Sequence, residues 1–273
     1  MYKIIKKEIL NPTVVLMEIA ASEVARKAQP GQLIILRVDK WGERIPLTVN
    51  DYNPVSGTIT IIFQIVGLTT EKLSRLEAGD EIADFVGPLG KASDLSDIKT
   101  ACIVAGGLGS AICYPLAKAL KHQGAVVDVV LGFRTKELVI LENEFRSVSD
   151  RLFLMTDDGS YGRKGLVTVP LQQLLCDEKY CVVYAVGPLK MMKNVALITR
   201  EFNQKTIVSM NPIMIDGTGM CGGCRLTVGG EVKFACVDGP EFDAHLIDFD
   251  EAIARCGMYL KEERDALCRI MKL

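Results

Sequence analysis

The chain has 273 residues, enough for two hydrophobic cores, with 49% hydrophobic and 24% charged residues, the balance of a water-soluble globular protein. A net charge of −2 gives no reason to expect nucleic acid, which would call for a basic face. The N-terminal "MYKIIKKEILNPTVVLMEIA" is interrupted by charges and Pro12, and no stretch reaches the roughly 18 uncharged apolar residues of a membrane helix, so a cytoplasmic protein without a membrane partner is expected.

Residues 1–98 read as strands. "TVVLMEIA", "QLIILRV", "RIPLTV" and "TITIIFQIV" are short, rich in Val, Ile and Thr, and separated by the turn signals "QPG", "NPVSG" and "EAGD". That regular spacing predicts an antiparallel β-barrel or sandwich. "TTEKLSRLEAG" is the one helical piece, with Leu73 and Leu76 three apart and an end at Gly79. "ERIPLTVND" carries Arg44, Pro46 and Thr48, and an arginine and a hydroxyl on one strand suit a diphosphate. "FQIVGLTTEKL" sets Gly67, Thr69 and Thr70 before a helix start, which suits an anion or, more simply, a helix cap.

Residues 99–211 change character. "TACIVAGG", "AVVDVVLGF", "RLFLMTDDG" and "YCVVYAVG" are apolar strands alternating with helical "SAICYPLAKALKHQG", "ELVILENEFRSV", "LVTVPLQQLL" and "PLKMMKNVALITREF", which predicts a parallel α/β domain. Gly106, Gly107 and Gly109 stand between a strand and a helix, where glycines let backbone amides approach a phosphate. Ile112 occupies the third glycine position of the dinucleotide fingerprint. "TDDGSYG" and "VGPLKMM" also follow strands, so Asp157, Asp158, Gly187 and Pro188 should emerge on the same sheet edge. The two aspartates suit a ribose or carboxamide, or a capped turn ahead of Gly159. Arg134 leaves the choice between NADH and NADPH open.

Residues 212–273 hold a cysteine loop, a hairpin "CRLTVGGEVKFAC" turning at Gly229-Gly230, and two short helices. Of nine cysteines, Cys102, Cys113, Cys176 and Cys181 lie in apolar runs and read as small core residues, as do Cys256 and Cys268. Cys221, Cys224 and Cys236 remain, and with Asp216 they give D-x4-C-x2-C-x11-C. The plant-type [2Fe–2S] spacing is C-x4-C-x2-C…C, with Asp216 at the place of its first cysteine. Either the aspartate is a ligand or it makes a local turn before Gly217. Structural zinc is the rival, with one knuckle and His245 nearby, although zinc favours two knuckles or a knuckle plus histidines.

On "RIPLT", "VGLTT", "GPLG" (87–90), "GGLG" and "VGP", residues 1–211 resemble the ferredoxin–NADP reductase superfamily. The resemblance implies an FAD-binding antiparallel β-barrel (1–98), a nicotinamide-nucleotide-binding α/β domain (99–211) and, at 212–273, a [2Fe–2S] cluster segment. It assigns Arg44, Pro46, Leu47, Thr48, Gln64, Ile65, Val66, Gly67, Thr69 and Thr70 to FAD. Gly106, Gly107, Gly109, Asp157, Asp158, Gly187 and Pro188 then meet NAD(H), with NADP(H) as the alternative. Arg44 stands four residues before Thr48 where the family motif has three, and no C-terminal aromatic over the flavin is evident.

A subgroup of the superfamily ends in such a cluster segment. It includes electron-transfer subunits of dihydroorotate dehydrogenase B, sulfide dehydrogenase subunits, and the small subunits of electron-bifurcating NADH-dependent reduced ferredoxin:NADP+ oxidoreductases. The sequence is most similar to the last group, where an aspartate replaces the first cysteine. The resemblance implies a subunit that exchanges hydride between NAD(H) and FAD and passes single electrons through Asp216, Cys221, Cys224 and Cys236. The implied partner is a larger flavin/iron–sulfur subunit in a heterodimer or higher complex, which reaches ferredoxin. No acid–base residue is required, because the cofactors carry the chemistry.

Overall fold

The computed structural model describes residues 1–271. The chain opens with β1 (Tyr2–Asn11), β2 (Val14–Ala20), the single turn α1 (Ser22–Ala25), β3 (Leu33–Arg37), β4 (Arg44–Asn53) and β5 (Thr58–Gln64). Helix α2 (Leu68–Ser74), β6 (Glu81–Ile82) and β7 (Asp84–Leu89) follow. The strands form one sheet in the order β6-β1-β2-β5-β4-β3-β7, every pair antiparallel. Its two edge strands, β6 and β7, are separated in the chain by Ala83 alone, whose N–H donates to the Val38 carbonyl. The sheet therefore curls into a nearly closed barrel, which leaves little edge exposed. Ile19, Ile34, Leu36, Ile61 and Phe63 point inward and fill it.

β1 lies outside the expected strands. Lysines and a glutamate occupy most of its outward positions, so only Ile4 and Asn11 are buried and the apolar alternation is faint.

The second sheet comprises β8 (Thr100–Gly106), β9 (Val126–Phe133), β10 (Arg151–Thr156), β11 (Arg163–Lys164), β12 (Val182–Val186), β13 (Thr206–Ser209) and, from the end of the chain, β16 (Glu241–Asp243). Its order is β11-β10-β9-β8-β12-β13-β16, parallel throughout except that β16 runs antiparallel to β13. Between them run α3 (Gly109–His122), α4 (Glu142–Val148), α5 (Thr168–Asp177) and α6 (Leu189–Glu201). The helix expected over "ELVILENEFRSV" is shorter than its pattern: a 3-10 turn at Lys136–Leu138 and an extended Val139 precede Leu141 at φ 59, and α4 starts only after it. β-branched Val139 and Ile140 disfavour helix, and Ile140 is instead drawn into the core.

The last segment adds the hairpin β14 (Arg225–Val228) and β15 (Glu231–Phe234), the turn α7 (Ala235–Asp238), and helices α8 (Phe249–Cys256) and α9 (Leu260–Met271). It does not stand apart. Leu226, Cys224, Cys236, Phe249 and Ala252 share one core with Leu171 and Val195 of α5 and α6 and with Leu33 and Ile35 of the barrel. Across the sheet, Val14 and Ile62 of the barrel join the core under α3.

Four of the six cysteines expected in the core are not buried there. Cys102 and Cys113 are buried, whereas Cys176, Cys181, Cys256 and Cys268 are exposed. Cys176 follows buried Leu174 and Leu175 onto the outer face of α5, and Cys181 precedes β12, so an apolar run did not bury every residue within it.

Candidate functional site

The order of the parallel sheet reverses at β8, with β9 on one side and β12 on the other. At such a point the loops beyond the strand ends diverge and leave a crevice. Gly106 and Gly109 let the β8 loop lie against the β12 loop there. A Cβ on Gly109 would stand 2.1 Å from the Val186 carbonyl oxygen, and one on Gly106 would stand 2.5 Å from Met191 Sδ and 3.1 Å from Pro188 Cδ. Gly107, at φ 54, donates its N–H to the Gly132 carbonyl at 2.8 Å, while buried Ser110 donates Oγ to the Gly107 carbonyl at 2.8 Å. The N-terminus of α3 thus opens onto the crevice beside Gly187 and Pro188.

Asp157 and Asp158 leave β10 next to the end of β9, Asp157 donating its N–H to the Phe133 carbonyl at 3.0 Å. The Asp158 carboxylate turns back on its own loop and accepts from Ser160 N–H at 2.9 Å and Ser160 Oγ at 2.7 Å. The Ser160 hydroxyl and amide hold that carboxyl below its ordinary range. The capped turn is therefore what Asp158 forms, while exposed Asp157 faces solvent at the sheet edge.

In the barrel, Pro46, Leu47 and Thr48 lie half-buried on β4, directly opposite Ile35, Ile34 and Leu33 of β3. Arg44 opposes Arg37, but Arg37 Nε is taken by Asp84 at 2.7 Å, so Arg44 is exposed and makes no ion pair among the described residues. Gln64 ends β5, and Ile65 to Gly67 lead into α2, with Val66 exposed. Thr69 Oγ1 reaches Glu43 Oε2 at 3.4 Å, which ties α2 to the start of β4. Thr70 is a cap: its Oγ1 accepts from Val66 and Gly67 N–H at 3.0 and 3.1 Å and donates to the Gly67 carbonyl at 3.0 Å. Asn50, which the sequence reading passed over, donates Nδ2 to the Ala111 carbonyl of α3 at 2.7 Å and joins the two domains.

The cysteine loop places four donors as two pairs. Cys221 Sγ donates to Asp216 Oδ1 at 3.0 Å at the outer, more exposed end. Cys224 and Cys236, both buried, have their sulfurs 3.1 Å apart. The Cys221 thiol, the Thr218 hydroxyl and the Met220 amide hold the Asp216 carboxyl well below the usual carboxylate range. Burial and the neighbouring Cys224 push the Cys236 thiol up to about 12. Backbone N–H groups already point at sulfur, with Gly223 N–H 3.4 Å from Cys221 Sγ and Cys236 N–H 3.5 Å from Cys224 Sγ. Gly217, Gly219 and Gly222 have φ of 77, 84 and 65, which lets the loop wrap in this way.

Among the described residues, no three His, Cys, Asp or Glu donors converge on one ion. His245 is bonded to Thr199 Oγ1 at 3.1 Å instead. Two pairs suit a two-iron cluster, which needs two protein ligands per iron, and not the single tetrahedral centre of zinc. The loop packs on the barrel: a Cβ on Gly217 would meet Leu89 Cδ1 at 2.6 Å and Ile35 Cγ1 at 2.9 Å. Ile35 is the residue that opposes Pro46.

Comparison with known proteins agrees with this geometry. The family model described as the iron–sulfur cluster binding domain of dihydroorotate dehydrogenase B matches residues 211–248. A dihydroorotate dehydrogenase B (NAD(+)) electron transfer subunit homolog of Thermotoga maritima is 46% identical over 270 residues, 99% of this chain and 95% of the relative. A chain in the solved structure of an NADH-dependent reduced ferredoxin–NADP oxidoreductase, described for flavin-based electron bifurcation, matches with a TM-score of 0.94 at 44% identity. That match covers 99% of this chain and 98% of the other. An Amycolatopsis cytochrome P450 reductase, at 18% identity and a TM-score of 0.63 over 74% of this chain and 65% of the other, shares the fold.

Barrel, parallel domain and cysteine loop together define a flavin and iron–sulfur oxidoreductase subunit that transfers electrons. The chain belongs to the family of dihydroorotate dehydrogenase B electron-transfer subunits.

Proposed function

We propose that this chain is the subunit through which NAD(H) exchanges electrons with a larger flavin/iron–sulfur partner, as in NADH-dependent reduced ferredoxin–NADP oxidoreductase. In this reading FAD accepts or returns a hydride and a [2Fe–2S] cluster carries single electrons onward. Arg44, Pro46, Leu47, Thr48 and the segment Gln64 to Thr70 hold the flavin, Thr70 by shaping the loop. Gly106, Gly107, Gly109, Gly187 and Pro188 admit the nucleotide phosphates, and Asp157 faces its polar end. Asp216, Cys221, Cys224 and Cys236 ligate the cluster. No helix of the described residues is long and apolar enough to cross a membrane, and we place the complex in the cytoplasm, with ferredoxin reached through the partner.

One observation carries the reading: Ile35 touches the cluster loop at Gly217 and pairs across β3 and β4 with Pro46. Adjacent strands lie about 4.8 Å apart, so the flavin strand and the cluster loop are separated by a single strand. A short path of this kind suits electron transfer between two groups and is not needed by a structural zinc that only holds the loop. The runner-up partner is a dihydroorotate- or sulfide-oxidising subunit, favoured by relatives that are electron transfer subunits of dihydroorotate dehydrogenase B, such as that of Desulforamulus reducens at 30% identity over 248 residues.

The test is anaerobic purification of the native complex with flavin, iron and sulfide analysis, followed by titration with NADH. Bleaching of both flavin and cluster absorption is expected. A colourless protein with stoichiometric zinc overturns the redox reading, and a dihydroorotate-oxidising partner would replace the bifurcating assignment.

A further inference from the structure

Arg255 is the described side chain left with a buried polar atom unmatched: its Nε has no hydrogen-bond partner. Its Nη2 donates to the Gly223 carbonyl at 3.2 Å, between Cys221 and Cys224. Among the described residues it forms no ion pair. An arginine held partly out of water with neither carboxylate nor full hydration is costly unless a negative group stands nearby.

The placement of Arg255 is fixed from both sides. The Asp248 N–H donates to the Thr227 carbonyl at 3.0 Å, and Glu251 Oε2 accepts from Thr227 N–H at 3.1 Å, so α8 is clamped to β14. Arg255 lies one turn beyond Glu251 on the same helix face. Buried Phe249 and Ala252 anchor that helix in the core. The guanidinium is therefore delivered by a rigid element and does not float on a loop.

Its effect on the loop follows from peptide geometry, because a trans peptide directs C=O and N–H to opposite sides. The preceding peptide shows the outcome: Arg225 Nη1 takes the Gly222 carbonyl at 3.2 Å, and the Gly223 N–H on the other side points at Cys221 Sγ, 3.4 Å away. Arg255 does the same to the next carbonyl and so turns the Cys224 N–H away from itself. Two successive carbonyls are thus held by arginines, and on the first of these peptides the opposite N–H lies at sulfur.

We propose that Arg255 is a positioning residue for the cluster loop and that its charge raises the reduction potential of the cluster held there. The inference rests on the reading of Asp216, Cys221, Cys224 and Cys236 as the ligands. A [2Fe–2S] cluster with four anionic ligands is negative in both oxidation states and gains one more negative charge on reduction. A fixed cation therefore stabilises the reduced form more than the oxidised one.

The test is an EPR-monitored redox titration of the purified holocomplex, with iron, sulfide and flavin quantified, for wild type, R255Q and R255K. At the wild-type midpoint, R255Q should show a reduced-to-oxidised ratio lower by about threefold or more, the scale of one charge in a partly solvated site. R255K keeps the charge and should restore most of that ratio, with a changed EPR line shape because lysine lacks the planar fork. An R255Q cluster with wild-type potential and line shape overturns the proposal. Where R255Q does not accumulate folded, R255K decides, and a line shape and cluster retention identical to wild type overturn it. A wild-type complex with flavin but no iron or sulfide sinks the cluster reading first, before any variant is compared.

Discussion

Asn50 supplies the hydrogen bond that Pro115 cannot. In α3 the carbonyl of Ala111 would accept from the residue four positions on, but that residue is Pro115, which has no N–H. Asn50 Nδ2, from the barrel strand that carries Thr48, donates to this carbonyl at 2.7 Å. The gap in the helix is thus the fastening point of one domain on the other.

Replacing Asn50 by Ala should leave the buried Ala111 carbonyl unsatisfied and cost about 1–3 kcal/mol of stability. Pro115→Ala returns an N–H to the helix, so the N50A/P115A double variant should recover part of that loss. Denaturant unfolding of all four proteins measures the coupling, and strictly additive losses would show that the two residues do not share the carbonyl.

Gly109 has no room for a side chain, since a Cβ would lie 2.1 Å from the Val186 carbonyl. Gly109→Ala must push apart the loops after β8 and β12. NADH should bind about tenfold or more weakly, because a displacement near 1 Å at a positioning element has effects of that order. Flavin content should stay at its wild-type level. Stopped-flow reduction at varied NADH gives both quantities, and an unchanged affinity would move the nucleotide elsewhere.

Asp216→Ala should abolish or sharply perturb the EPR signal of the cluster, whereas Asp216→Cys should keep a cluster with an altered spectrum. Carboxylate oxygen is a harder donor than thiolate, and ligand type and hydrogen bonding both act on a cluster's potential. Thr218 Oγ1 and Met220 N–H reach Asp216 Oδ2 at 2.8 and 2.9 Å, so the carboxylate also shapes the loop. An alanine variant with the wild-type spectrum would reduce Asp216 to that second role alone.

The Glu241 carboxyl lies where β16 meets the barrel, accepting from Ser93 Oγ at 2.7 Å, and burial pushes it up to about 7. Its unfolded value is 4.5, so between pH 4.5 and about 7 the folded chain binds the proton that the unfolded chain has lost. Stability should therefore fall as pH rises through that window, by on the order of 1–3 kcal/mol, and level off above it. Glu241→Gln should flatten the profile. Thermal unfolding from pH 5 to 8 would show it, and a Gln variant with the same slope would assign the dependence to other groups.

The chain order of the fold is legible locally. β2, β3, β5, β8, β9 and β12 announce themselves because each buries a near-continuous or alternating apolar run, and period-two burial is written in consecutive residues. β1 and β16 do not: one wears charges on its outer face, and the other has three residues and exists only because β13 offers an edge. Thr70 was ambiguous in sequence between anion site and cap, and only the bonds to Val66 and Gly67 decide for the cap.

By itself, then, the sequence determined the ligand spacing D-x4-C-x2-C-x11-C, the glycines at strand ends and the alternation of strand and helix, because each depends on neighbours within a turn or two. Tertiary structure alone decided which donors pair, that Ile35 stands between the cluster loop and Pro46, that Asn50 completes the helix broken at Pro115, and that Arg255 reaches Gly223. These contacts join residues from 5 positions apart, at Asp216 and Cys221, to 182 apart, at Ile35 and Gly217, and no local periodicity records a contact made only when a loop wraps or separate elements pack.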